Sequence, residues 1–404
     1  MLGIGVPGAT PEGRPPATSI ATDADERDAW VVLASVEGLG PVGFGSLLRR
    51  FGDGRSILDV ARTAGGATRL VDPVDPFHLV DAEVAARIVT AAADPAAIVD
   101  RVHATGVTVL TLESAAFPRR LLAIELPPHL LFVRGDPAAM EQAHAVAVVG
   151  TRRPTELGRR VAARIAAALA DVGAAVVSGL AMGIDGAAHA ACVATGVPTV
   201  AVLGSGHARL FPRAHAGLAD GIVAGGGAIV SEFYPDVRAT KGTFPRRNRV
   251  ISGLADATVV VEAPLRSGAL ITASWALEQG RACFLVPGPI DAPASAGCLA
   301  FLRENEGVAQ IVATVPDLIA DLDLLGSRPG GARTVAEVEL GLVERALVTA
   351  LARGATTTDE LARATGQPVA TILGALTLLE MRGLVSVAYG RHRLTGRLAG
   401  AAVA

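Results

Sequence analysis

Lysine is almost missing from this 404-residue chain. Lys241 is the only one, and every other basic side chain is arginine. Aromatic residues make up 3%, so packing has to rely on alanine, valine and leucine between layered helices and strands. The three cysteines, Cys192, Cys283 and Cys298, stand far apart and form no C-x-x-C pair. That spacing excludes the common zinc and redox motifs and leaves them as small buried hydrophobes. No uncharged run is long enough and free enough of glycine and proline to span a bilayer. The longest, Gly186 to Ala208, is interrupted by Gly196, Pro198, Gly204 and Gly206. The start of the chain has neither a basic segment nor an apolar run before a cleavage site, so a cytoplasmic protein is expected. The formal charge of −3 excludes a globally cationic surface, and any polyanion has to be met by a local basic patch.

What is present is periodic. Residues 1–22 are rich in Gly, Pro, Ala and Thr without apolar period and read as a disordered tail. Residues 23–100 read as a helical module, with two helices meeting around Val36-Glu-Gly-Leu-Gly-Pro41. Those glycines suit either a phosphate-facing helix-hairpin-helix or a plain helical turn. From 101 to 320, strand-like runs (AVAVV, AAVVS, TVAVL, GAIVS, ATVVV, ACFLV) alternate with amphipathic helices. This predicts an α/β, Rossmann-like, doubly wound parallel sheet, led in by strand-like segments at 107–112 and 130–133. Residues 321–340 read as a linker. Residues 341–404 carry three helices and a strand-turn-strand, the order of a winged helix. Between Leu342 and Arg397 this tail holds seven arginines against four acids. The start of its third helix offers few base-reading side chains, so sequence-specific duplex binding is not expected.

In such a sheet the loops after the strands face one edge, where glycines and helix N-termini expose N–H groups to phosphates. Those loops here are Gly150-Thr-Arg-Arg153, Ser178-Gly-Leu-Ala-Met-Gly183, Gly204-Ser-Gly206 and Ser267-Gly-Ala-Leu-Ile-Thr272. A sharper signal is Lys241-Gly-Thr-Phe-Pro-Arg-Arg-Asn-Arg249, read as a loop. It places the lone lysine beside three arginines, an asparagine and a phenylalanine. Cations that track phosphates and a ring that stacks on a base are what a single-stranded nucleic acid needs. Several enzyme classes fall away on the same residues. Lys241 does not follow the glycine of a Walker A loop, and the first strand is followed by Gly-Thr-Arg instead of G-x-G-x-x-G. Asp185 and His189 lie four apart on one helix without a third ligand, and are read as capping and local hydrogen bonding before any metal site. No catalysis, cofactor or metal is expected.

These motifs carry a resemblance. Gly150-Thr-Arg152, Ser178-Gly-Leu-Ala-Met-Gly-Ile-Asp185 with Ala188-His189, Lys241-x-x-Phe-Pro-x-Arg-Asn-Arg249, Gly253-Leu254, Val261-Glu262, Ser267-Gly-x-Leu-x-Thr-Ala273 and Pro287-Gly288 resemble, in order and spacing, those of the bacterial DNA-processing protein A (DprA/Smf) family. The flanks resemble its SAM-like and winged-helix domains. The resemblance implies a homodimer that binds single-stranded DNA, loads the RecA recombinase in natural transformation or recombination, and performs no chemistry. It implies a pocket formed by Gly150, Thr151, Arg152, Ser178, Gly179, Lys241, Phe244, Arg247, Asn248, Arg249, Ser267 and Gly268, with Phe244 stacked on a base. The chain departs from the family at Gly297-Cys-Leu-Ala-Phe-Leu302, where the expected asparagine is missing, and at Pro154-Thr-Glu-Leu-Gly158, which holds no aromatic residue. No contact is assigned to either segment. Two other classes fit parts of the pattern: a nucleotide-cleaving enzyme of the phosphoribohydrolase type, and a winged-helix regulator with the sheet as ligand sensor. The Pro-Gly-Gly-x-Gly-Thr run of the former is absent.

Overall fold

The structure, a computed structural model, describes residues 24–72, 75, 79–322, 341–381, 384–388 and 391–394. The expected tail over 1–22 and most of the linker lie outside these residues. The contacts divide the chain into two compact units, one ending at Pro95 and the other beginning at Ala96.

The first unit is helical: α1 (Ala24–Ala34), α2 (Pro41–Phe51), α3 (Gly54–Arg62), α4 (Gly66–Leu70) and α5 (Ala82–Ala93). Pro41 opens α2, where its missing N–H would have had no helical partner. Glu26, a carboxylate in an apolar interior, is satisfied by three donors: Trp30 Nε1 at 2.5 Å and the backbone N–H groups of Gly54 and Arg55 at 2.5 and 3.0 Å. It thereby ties α1 to the N-terminus of α3.

All of α6 (Pro95–His103) but its first residue belongs to the second unit, and β1 (Thr108–Thr111), α7 (Arg119–Leu122) and β2 (Leu130–Gly135) come next. The main alternation follows: β3 (Ala145–Val149), α8 (Glu156–Asp171), β4 (Ala175–Ser178), α9 (Ile184–Thr195), β5 (Thr199–Val202), α10 (Ala216–Ala224), β6 (Ala228–Ser231), α11 (Thr243–Gly253), β7 (Ala257–Val260), α12 (Gly268–Glu278), β8 (Ala282–Leu285), α13 (Ala296–Glu304), β9 (Ala309–Ile311) and α14 (Val315–Asp321). The nine strands lie in the order β1-β2-β6-β5-β4-β3-β7-β8-β9. All neighbours from β6 to β9 are parallel, while β1, β2 and β6 pair antiparallel. The doubly wound sheet is therefore as expected, with an antiparallel extension on one edge.

β3 is buried at every position, as a central parallel strand covered on both faces has to be. Successive side chains alternate between two cores. Ala145, Ala147 and Val149 face Val250, Ile251 and Leu254 of α11 and Ala273 of α12. Val146 and Val148 face Ala162, Ile165 and Leu169 of α8 and Ala188 of α9. The three cysteines are free and buried, and burial pushes the Cys283 thiol up to about 12.

The C-terminal part is a winged helix: α15 (Leu342–Ala352), α16 (Thr358–Thr365), α17 (Val369–Met381) and the hairpin β10 (Val385–Ala388) with β11 (Arg391–Leu394). Leu347, Leu351, Leu361, Ile372, Leu376 and Leu379 form its core. Thr357 accepts from the Glu360 N–H, and Glu360 accepts from the Thr357 N–H at 3.0 Å, a reciprocal cap for α16. The Thr356 N–H, at 2.7 Å, and the Thr357 N–H together hold the Glu360 carboxyl down at about 2. Among the described residues no helix is long and apolar enough to cross a membrane.

Candidate functional site

From β3 the chain winds through β4, β5 and β6 on one side, then crosses to β7 on the other. The loops after β3 and β7 therefore diverge, and a crevice opens above the carboxyl ends of two neighbouring strands. A cavity of about 260 Å³ occupies it. Its lining includes Gly150, Thr151, Arg152, Asp185, Phe244, Arg247, Asn248, Arg266, Ser267, Gly268 and Thr272.

Both loops are held from behind. The Thr151 N–H donates to the Glu262 carbonyl at 2.7 Å. The Glu262 carboxylate accepts from the N–H of Thr155, the N-cap of α8, at 2.9 Å. It fits there because residue 158 is glycine: a Cβ at that position would lie 2.0 Å from Glu262 Oε2. On the other side, the Gly297 N–H of α13 donates to the Ala263 carbonyl at 2.9 Å. Ser267 caps α12 through the Ala269 N–H, and Asn248 Nδ2 donates to the Gly268 carbonyl at 3.0 Å.

Arg247 forms the floor. Its guanidinium donates from Nη1 to the Gly179 carbonyl at 2.6 Å and to the Val202 carbonyl. It is fully enclosed, and burial brings its pKa down to about 10 against the pull of Asp185. Asp185, in the first turn of α9, accepts from the Gly179 N–H at 3.1 Å. Burial raises its pKa, opposed by Arg247 and by backbone donors. These backbone and amide donors are spent within the protein, so they shape the walls of the cavity, and Arg247 supplies one buried cation below it. Arg152 and Arg266 line the same cavity and have no carboxylate partner among the described residues. Three guanidiniums around one cavity suit a phosphate group.

The segment 241–249 is not a loop. Thr243 to Arg249 form the first two turns of α11. Pro245 is tolerated there because N–H groups in a first turn have no helical acceptor. The helical phase separates the two cations that the sequence placed together, since residues two apart point to nearly opposite sides. Arg247 turns toward the crevice. Arg249 turns away into a buried ion pair with Glu232, both side chains being 3% exposed. Phe244 is half-buried. The Arg152 guanidinium lies over its ring at 4.4 Å from the centroid, and Gly204 packs so closely that a Cβ would approach within 2.8 Å.

The structure thus brings Gly150, Thr151, Arg152, Phe244, Arg247, Asn248, Ser267 and Gly268 to one cavity. Gly179 lies at its back, against Arg247. Ser178 is fully buried and its hydroxyl donates to the Val148 carbonyl at 2.6 Å, so it does not face the crevice. Lys241 is exposed on the turn before α11 and lines no part of the cavity. His189 is enclosed beneath and bonds Thr199 Oγ1 at 2.9 Å, apart from Asp185. Sequence reasoning passed over Arg266, although its place directly before the Ser267-Gly268 cap was a usable signal.

The comparisons follow the same outline. The family model described as DNA recombination-mediator protein A matches residues 108–323, and that of the DprA winged helix domain matches 332–391. The chain belongs to the DNA recombination-mediator protein A family. It is 42% identical over 286 residues to the putative DNA processing protein DprA of Mycobacterium tuberculosis, covering 69% of this chain and 71% of that one. It is 38% identical over 290 residues to protein Smf of Escherichia coli, covering 70% and 76%. The X-ray structure of DprA from Streptococcus pneumoniae superposes with a TM-score of 0.60 at 28% identity, covering 73% of this chain and 97% of that one. The DprA family thus accounts for the sheet domain and the winged helix together.

Proposed function

We propose that this DNA-processing protein binds single-stranded DNA at the switch-point cavity, as a homodimer in the cytoplasm, and passes the strand to RecA without catalysing a reaction. The observation that carries the reading is the cavity itself. Arg247 beneath and Arg152 and Arg266, which have no carboxylate partner among the described residues, converge where a polyanion's phosphate fits. Lys241, exposed just outside, meets a neighbouring phosphate of the same strand. A duplex holds its bases inward, whereas a single strand exposes them beside these phosphate contacts. The RecA step rests on the family's role as a recombination mediator.

The test is fluorescence anisotropy with a mixed-sequence single strand and a blunt duplex of equal length. Preference for the single strand is expected, and each of Arg152→Ala and Arg266→Ala should flatten the slope of log affinity against log salt by about 0.7. Equal affinity for the two nucleic acids refutes the reading. RecA nucleation on a strand coated with single-strand-binding protein checks the second step, and no acceleration over a range of protein concentrations would remove it.

A further inference from the structure

Two carboxyl groups of the protein stand where a doubly wound sheet offers its phosphate sites, at the loop amides and the helix N-terminus that follow the crossover strand. Asp185 is 4% exposed. Its Oδ2 accepts from the Gly179 N–H at 3.1 Å, and hydrogen bonding from Gly150 and Ala181 also favours its ionised form. Donors of the loops after β3 and β4 thus converge on a side chain. Glu262, 5% exposed, takes the other place. Its carboxylate lies against the first turn of α8 and accepts from the Thr155 N–H, packed so closely that a Cβ on residue 158 would lie 2.0 Å from Oε2.

The polar groups around the cavity therefore fall into two sets. The amides and the α8 N-terminus are occupied from within, whereas Arg152, Arg247 and Arg266 line the open space. Guanidiniums attract any phosphate, and by themselves they favour the one with more charge. A buried carboxylate behind the Arg152 loop acts the other way, because its repulsion also grows with the charge of the ligand and is little screened by salt. A phosphate inside a strand is a diester with a single negative charge. The terminal phosphate of a free nucleotide carries about 1.5 to 2 at neutral pH.

We propose that Glu262, together with Asp185, determines specificity for the charge of the phosphate, admitting the diester inside a strand and refusing the terminal phosphate of a free nucleotide. The proposal rests on the reading of this cavity as the single-strand site, and it supplies a means by which the switch point of such a sheet turns nucleotides away. Asp185 excludes by occupancy, since it holds the amides that a compact phosphate would need. Glu262 excludes by charge. Neutralising Glu262 lifts one unit of repulsion from a diester and two from a dianion, so the preference between them shifts by the effect of one nearby charge, about tenfold. Glu262→Gln does this while keeping the side chain's volume and an acceptor for the Thr155 N–H.

The experiment displaces labelled oligothymidylate from the full chain with two competitors at constant ionic strength and one mildly alkaline pH. They are thymidine 5′-monophosphate, there a dianion, and its phosphate methyl ester, a monoanion with the same base and sugar. The wild type should be displaced at least as well by the ester as by the monophosphate, although arginines alone would favour the dianion. In Glu262→Gln the monophosphate should gain about tenfold over the ester relative to the wild type. Its affinity for oligothymidylate should be no weaker, which also reports that the variant is folded. A Glu262→Gln protein with the wild-type ratio of the two competitors overturns the proposal. So does a wild type that already prefers the dianion about tenfold, a result that needs no variant to fold. A wild type that does not bind oligothymidylate removes the single-strand reading itself, and this proposal with it.

Discussion

Replacing Gly179 by alanine tests whether the site is built around the buried Arg247. A Cβ at 179 would lie 2.4 Å from Arg247 Nη1 and 2.6 Å from Cζ and Nη2, well inside van der Waals contact. The backbone there has little freedom, because the Gly179 N–H is bonded to Asp185 and its carbonyl to Arg247. The guanidinium therefore has to move. Losing both of its bonds, to Gly179 and Val202, would cost about 3–6 kcal/mol at about 1.5–3 for each hydrogen bond from a charged group. A smaller shift that keeps one bond would cost about 1–3 kcal/mol, as overpacking does. The expected loss of about 2–5 kcal/mol corresponds to a melting temperature lower by about 5–15 °C in a domain of this size. Gly268→Ala is the control: it borders the same cavity, but a Cβ there meets nothing within 4 Å. Calorimetry on the two variants is decisive. A Gly179→Ala protein that melts with the wild type would show that Arg247 is not locked against this carbonyl, and the floor of the site would have to be redrawn.

Lowering the pH should weaken the fold through its buried histidines. Burial holds His189 at about 3 and His207 at about 4. Both are neutral in either state above their ordinary value of about 6.5. Below it the unfolded chain takes up protons that the fold refuses, so stability falls with pH by up to about 1.4 kcal/mol per unit for each histidine. Urea titrations between pH 7 and 5 should show that fall, and His189→Gln should reduce it; an unchanged slope in the variant would exclude His189 as a source. Arg249→Met leaves the buried Glu232 with only the Arg246 contact at 3.5 Å and should cost no more than the about 3–5 kcal/mol of a fully stranded charge, much of it recovered in Arg249→Met/Glu232→Met. If the double variant is no more stable than the single one, the pair is not the cause. Removing residues from 333 onward should leave single-strand affinity nearly intact, and complete loss in a folded truncation would move the site out of the sheet domain.

Local pattern was enough for much of this protein. The uninterrupted AVAVV of β3 and the 3.6-residue period of α8 and α9 are short-range properties, so the alternation that defines the sheet is written along the chain. The winged helix is legible from the order of its elements, three short helices followed by a strand, a turn and a strand. The loops after β3, β4 and β7 could likewise be assigned to one edge of the sheet, because every parallel strand points the same way. The three-residue edge strand β9 escaped notice, since Ile311 is exposed and the segment has no core-facing alternation.

Which side chains meet in the crevice was decided by tertiary structure alone. Arg247 and Arg249 are equivalent in sequence, yet the phase of α11 sends one beneath the cavity and the other to Glu232. Phe244 reads as a free ring until the fold lays Arg152 over it. Asp185 and Glu262 belong to separate motifs, and they reach the loop after β3 from its two sides only because β4 and β7 are the neighbours of β3 in the sheet. Sequence periodicity determines which face of an element is apolar. The order of the strands determines which polar residues, distant along the chain, end at the same place.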